Sequence, residues 1–154
     1  MCIRDRIVTN LIVTTLYLGK LPLAPGTWAS IIATFTWLYF FDNTNSYLLP
    51  LFSSILFIIG TYFSHLSLKG SSDHDPSYIV IDEWVGQWIA LSFLPVNLSF
   101  ALLGFILFRF FDISKIGPVK YFEKLPGAVG VMADDVAAGF LSMLTIYLLR
   151  VIVI

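Results

Sequence analysis

Hydrophobic and polar positions along this chain fall in long blocks rather than short alternations. Residues 7–19, 21–41, 43–68, 84–108 and 136–149 contain no Asp, Glu, Lys or Arg. Short polar connections separate these tracts, as expected of a chain that repeatedly enters an apolar medium. A helix that crosses a bilayer needs about 20 apolar residues. Residues 48–68 meet that length, and residues 136–154 nearly do, with Arg150 close enough to the end to reach the interface. Residues 28–41, 84–94 and 98–111 are shorter and predict core helices or partial spans, with Pro95 separating the last two. Residues 7–18 are too short for a span and lack the small-residue ending of a cleaved signal. Strand signals are confined to the short β-branched stretch 78–81, which runs straight into a helical tract. The pattern predicts an all-α protein, a compact multi-helix membrane bundle. A single domain is expected over residues 1–154, with residues 1–6 outside the fold. The alternative is a bundle that packs its own core and only touches the bilayer.

If each tract from residue 28 onward reverses direction, the polar connections sort onto two sides. One side collects the connections at 21–27, 69–83 and 112–135, and with them Asp82, Glu83, Asp112, Asp134 and Asp135. The same side collects Lys20, Lys69, Arg109, Lys115, Lys120 and Lys124. The other side holds little beyond Asp42 and Arg150. The excess of Lys and Arg marks the crowded side as cytoplasmic.

Composition narrows the function. Hydrophobic residues make up 58% of the 154 positions, charged residues only 12%, and the net charge is −1; mean hydropathy is +0.86. Soluble domains usually carry about 25% charge, so a disordered chain or a basic nucleic-acid binder is excluded. A single cysteine, Cys2, excludes a disulfide framework and a thiolate metal cluster.

The crowded side offers the candidate chemistry. Asp82-Glu83 is expected to open one helix and Asp134-Asp135 another. Adjacent helical residues point about 100° apart, so one acid of each pair can face inward while its neighbour supports it. Asp112 lies near the C-terminal end of its helix, where the macrodipole disfavours a carboxylate, with Arg109 and Lys115 three residues to either side. These acids form either a mutual ion-pair network or a divalent-cation site. Hard carboxylate oxygens suit Mg²⁺, and neighbouring cations suit a phosphate ligand. His65 and His74 lack zinc-ligand spacing; His74 is a loop residue with a possible proton-transfer role. Thr27, after Pro25-Gly26, reads as a helix N-cap at a terminus able to hold an anion. No P-loop, Cys-x5-Arg nucleophile motif, Gly-x-Ser-x-Gly elbow or Asp-x-Asp opening of an aspartyl-phosphate enzyme is present, which leaves metal-assisted attack by water as the expected chemistry.

Four segments carry a resemblance. Leu23-Ala24-Pro25-Gly26-Thr27-Trp28-Ala29-Ser30 comes first. His74-Asp75-Pro76 with Ile79 to Trp88 follows, and then Phe108-Arg109-Phe110-Phe111-Asp112-Ile113-Ser114-Lys115. The last runs from Gly127 and Gly130 through Asp134-Asp135 to Gly139. Together, in order and over roughly residue 15 to the C-terminus, they resemble the phosphatidylglycerophosphatase A family. The sequence departs from the family pattern at Lys115-Ile116-Gly117-Pro118, where the family has Lys-Pro-Trp-Pro, and at Gly127-Ala128, where it has Gly-Gly. The resemblance implies an all-helical fold with a central helix surrounded by others, at the cytoplasmic face of the bacterial inner membrane. It implies a Mg²⁺-dependent phosphoric monoester hydrolase that converts phosphatidylglycerophosphate to phosphatidylglycerol and phosphate.

On that reading Asp82, Glu83, Asp112, Asp134 and Asp135 are the catalytic and metal-binding candidates, with Glu83 as ligand or general base. Arg109 and Lys115 would grip the phosphate, with Lys69, Thr27 and His74 as further substrate contacts. The expected partners are a phospholipid and the membrane, without nucleic acid. The competing classes are a small cation transporter or channel that uses the carboxylates, and a noncatalytic membrane scaffold. A carrier site is expected near the bilayer midplane, whereas these acids sit at tract ends among bases.

Overall fold

The computed structural model describes residues 3–41, 47–69, 73 and 76–153. Among these residues the fold is entirely helical: α1 (Ile3–Val13), α2 (Pro25–Phe40), α3 (Leu48–Leu68), α4 (Ile81–Leu91), α5 (Leu98–Ser114), α6 (Pro118–Phe122) and α7 (Ala128–Val153). A 3-10 turn, Leu18–Lys20, links α1 to α2. Residues 3–6, expected outside the fold, form the first turn of α1 and are exposed. The β-branched stretch forms no strand; Val80 N–H donates to the Val13 carbonyl (2.9 Å), tying the approach of α4 to the end of α1.

Helix α4 is the hub. It packs against α7, α2, α3 and α5, with its most extensive contact to α7. Eight of its eleven residues are buried, including the polar Asp82 and Gln87. At 1.5 Å per residue it is about 16 Å long, far short of a bilayer core. Its neighbours bury it with aromatic and aliphatic side chains, among them Trp37, Leu49 and Ile146. The Trp88 indole N–H reaches the Ala33 carbonyl of α2 (3.0 Å), so the largest side chain of α4 is buried with its donor satisfied. The helix stops at Leu91 rather than continuing to Leu94, because Ser92 turns extended and Phe93 adopts a positive φ.

Two glycines set the α4–α7 distance. A Cβ on Gly139 would strike the Gly86 carbonyl oxygen, and one on Gly86 would stand 2.6 Å from the Asp135 carbonyl oxygen. The backbones touch at this crossing, which draws Asp135 of α7 toward the start of α4.

Helices α3 and α7 are long and apolar enough to cross a membrane. Only 17% of the apolar window of α3 and 33% of that of α7 are buried within the protein, so both present apolar surface outward, unlike the core helix of a soluble domain.

Two helix starts differ from the sequence expectation. α2 begins at Pro25, with Ala24 as N-cap in the left-handed region, so Thr27 lies inside the first turn and is not the cap. Proline presets the helical φ and lacks the N–H that a first-turn residue cannot pair, which makes Pro25 the natural start. α7 begins at Ala128, after Gly127 at φ 66°, so Asp134-Asp135 sit in its second turn instead of opening it. The helix passes through the acids as Asp134 pairs with Lys115 at the end of α5 and Asp135 joins the acids at the start of α4.

Candidate metal and phosphate site

The start of α4, the end of α5, the second turn of α7 and the start of α2 meet at one end of the bundle. Their side chains line a cavity of about 240 Å³. Asp82, Glu83, Asp112, Asp134, Asp135, Arg109 and Lys115 all face it, together with Pro25, Gly26, Ser77 and Ile79. The alternating-direction count therefore brings acids more than 50 positions apart to one place.

The acids divide into two groups. Asp82, Glu83 and Asp135 each offer a carboxylate oxygen, and these atoms lie within 4.8 Å of one another. Asp112 and Asp134 are engaged by cations. Arg109 Nη1 donates to Asp112 Oδ2 (2.6 Å), Lys115 Nζ donates to Asp112 Oδ1 (3.3 Å), and the same ammonium donates to Asp134 Oδ2. The 100° offset between adjacent residues thus acts in α7: Asp134 turns to Lys115, and Asp135 turns to the α4 pair.

Lys115 does not reach Asp112 as a residue of the same helical face. It is the C-cap of α5 and holds φ 48°, a conformation that most side chains avoid. That turn folds the ammonium back between two carboxylates of different helices. Within each acid pair the first carboxylate accepts the backbone N–H of the second: Glu83 N to Asp82 Oδ1 (2.9 Å) and Asp135 N to Asp134 Oδ1 (3.0 Å). These bonds fix the rotamers that present the remaining oxygens to the cavity.

Burial makes the group electrostatically demanding. Desolvation, then the Glu83 charge, its hydrogen bond and the Asp135 charge, push the Asp82 carboxyl well above the usual carboxylate range. Desolvation also raises Glu83, with a further push from the Asp112 charge that Arg109 partly offsets. Burial works against the Lys115 ammonium, but the Asp134 hydrogen bond and the charges of Asp134, Asp135 and Asp112 outweigh it and hold Lys115 above the ordinary lysine range. Three carboxylates this close are able to hold a metal ion, and all-oxygen donors suit a hard divalent one. Glu83 Oε2 supports the fit: it is buried and has no hydrogen-bond partner among the described residues.

The remaining candidates fall differently. Lys69 is the exposed C-cap of α3 and does not line the cavity. Thr27 is half-buried and its N–H bonds back to Ala24 O (3.0 Å), while its neighbours Pro25 and Gly26 line the cavity in its place. His74 lies outside the described residues. Sequence reasoning missed Gly26 as a site residue: a Cβ there would collide with Glu83 Oε1, so only glycine leaves the carboxylate room. Its position beside the quoted Pro25 was the available signal.

Comparison with known proteins shows the family of the chain. The sequence profile described as Phosphatidylglycerophosphatase A matches residues 11–150. A Haemophilus influenzae protein named phosphatidylglycerophosphatase A is 34% identical over 134 residues, covering 86% of this chain and 82% of that one. The Escherichia coli K12 protein of the same name is 35% identical over 131 residues, covering 84% and 76%. A Bacteroides thetaiotaomicron protein, named as a candidate phosphatidylinositol-3-phosphatase, is 37% identical over 138 residues, covering 86% and 87%. No solved structure matches. The four sequence segments, the convergent carboxylates they build and the match across most of the chain lead to one assignment: this protein belongs to the phosphatidylglycerophosphatase A family of phosphoric monoester hydrolases.

Proposed function

We propose that the protein hydrolyses the terminal phosphomonoester of phosphatidylglycerophosphate with Mg²⁺, at the cytoplasmic face of a bacterial inner membrane. The observation that carries this reading is the division of the acids. Three carboxylates converge without a salt bridge of their own among the described residues, and beside them Arg109 and Lys115 stand at the same cavity, paired with Asp112 and Asp134. Asp82, Glu83 and Asp135 would hold the ion, which supplies Lewis-acid charge to the phosphoryl group.

The chain's own residues do the rest. Arg109 and Lys115, anchored by Asp112 and Asp134, bind the non-bridging phosphate oxygens, and their fixed positions orient phosphorus toward the acids. Glu83, with its carboxyl raised above the ordinary carboxylate range by burial, takes a proton from the attacking water at the oxygen that faces the cavity. The new bond is water oxygen to phosphorus; the bond that breaks joins phosphorus to the glycerol oxygen, which leaves as the alcohol with the proton that Glu83 took from the water. The exposed apolar faces of α3 and α7 keep the acyl chains in the bilayer while the headgroup enters the polar end. The Lys and Arg excess on the site's side supports the cytoplasmic orientation.

The transporter reading is disfavoured by the same geometry, because the carboxylates lie at one end of the bundle and two of them are committed to bases. The test offers the purified protein in detergent phosphatidylglycerophosphate, lysophosphatidate and phosphatidylinositol 3-phosphate, with and without Mg²⁺. Phosphate released from the first alone, and only with Mg²⁺, is expected. Metal flux in liposomes without phosphate release overturns the proposal, and preference for the inositol lipid reassigns the substrate.

A further inference from the structure

Gln87 is fully buried in the hub helix, yet both atoms of its carboxamide lack a hydrogen-bond partner among the described residues. A buried amide left unpaired costs about 1–3 kcal/mol, and an apolar side chain of the same length would avoid that cost. On α4 its neighbours Gly86, Trp88, Ala90 and Leu91 are buried as well. On α5 the facing position is Gly104, where a Cβ would meet Leu91 Cδ2 at 2.5 Å and stand 3.9 Å from Gln87 Nε2, so the missing side chain there makes room for both Leu91 and the amide end.

Gln87 follows Glu83 by four residues on α4 and so shares its face, one turn deeper. Glu83 Oε2 is itself buried and unpartnered, and Arg109, from α5 at the same cavity, is a third group with such an atom, its Nε. The three are chemically complementary: a carboxylate acceptor, an amide that both donates and accepts, and a guanidinium donor. A water in a polar interior site typically makes about three hydrogen bonds to groups of this kind.

We propose that Gln87 is a positioning residue, whose carboxamide holds a buried water that donates to Glu83 Oε2 beneath the carboxylate cluster. The amide N–H donates to the water, and the water donates to the carboxylate oxygen. Glu83 is thereby fixed in the rotamer that presents its other oxygen to Asp82 and Asp135. This rests on the reading of Glu83 as a cation ligand, and it assigns a role to a polar residue that the hydrolytic scheme leaves idle.

The decisive variant is Gln87→Met, which preserves length and removes the amide. An isolated unpaired amide and a water-bridged one predict opposite signs. If the water is held, metal-free Gln87→Met melts about 3–6 °C below the parent. It also binds Mn²⁺ about tenfold more weakly, the usual scale for losing a group that orients a ligand. The kcat on phosphatidylglycerophosphate falls by a similar factor while KM changes less than twofold. A Tm that stays level or rises overturns the proposal, as does a lower Tm with unchanged Mn²⁺ affinity, which shows packing alone. Should Gln87→Met fail to fold, a high-resolution structure of the parent decides. Solvent density within about 3.2 Å of both Gln87 and Glu83 supports the proposal, and its absence refutes it. A parent that releases no phosphate, with the Tm and Mn²⁺ differences intact, overturns the phosphatase reading and leaves this one standing.

Discussion

The Lys115 ammonium donates to the Asp134 carboxylate across 19 positions of sequence, joining the end of α5 to the second turn of α7. The same ammonium holds Asp112, which Arg109 also pairs, so one cation fastens two helices and two cations together balance two acids. Lys115 keeps about a quarter of its side chain exposed, which tempers the stability it contributes.

Lys115→Met is expected to cost about 1–3 kcal/mol in denaturant unfolding, because it leaves Asp134 buried without its counter-charge. Phosphate release should fall about 100-fold or more, since the variant also loses a group that binds the phosphate. The double variant Lys115→Met/Asp134→Leu should regain most of the stability and none of the activity. Recovery of activity in the double variant would show that Lys115 serves only the fold.

Two glycine substitutions should separate site from scaffold. Gly26→Ala pushes a Cβ against the Glu83 carboxyl, the end of a flexible side chain. Stability should change by less than about 1 kcal/mol while phosphate release drops sharply. Gly139→Ala instead meets the Gly86 backbone carbonyl, which cannot turn aside, and should cost about 1–3 kcal/mol. Equal stability losses in the two variants would contradict this assignment.

The raised carboxyls of Asp82 and Glu83 predict a pH signature in the metal-free protein. Their folded-state values exceed the unfolded ones, so the folded state binds more protons. Stability is then highest below the ordinary carboxylate range of about 4 and declines as pH rises through the raised folded values. A bound divalent cation requires these groups ionised, so the Tm increase on adding Mg²⁺ should grow with pH over that interval. A Tm shift independent of pH would place the ion elsewhere.

Much of the architecture was written in the uncharged tracts. The bounds of α3, Leu48–Leu68, match the last 21 residues of the uncharged tract 43–68, a length sufficient to cross a membrane. The start of α7 was not legible: Asp134 and Asp135 interrupt the hydrophobic pattern, and only Lys115 and the α4 crossing explain why the helix runs through them. The pairing of Arg109 with Asp112 follows from three-residue spacing within α5. Lys115 to Asp134 does not, since it depends on a left-handed turn at Lys115. The sequence nominated five acids alike. Which three converge is fixed by the Gly86–Gly139 contact between α4 and α7, a long-range packing detail with no local signature.

The claim that Asp82, Glu83 and Asp135 together hold a divalent cation is tested most directly by Mn²⁺ titration of the purified protein, followed by electron paramagnetic resonance. The parent should show saturable binding that Mg²⁺ displaces. Asp82→Asn should lose that binding while its metal-free fold persists or gains stability, because one member of a repelling buried group has been neutralised. Asp82→Asn that binds Mn²⁺ as tightly as the parent would contradict the account.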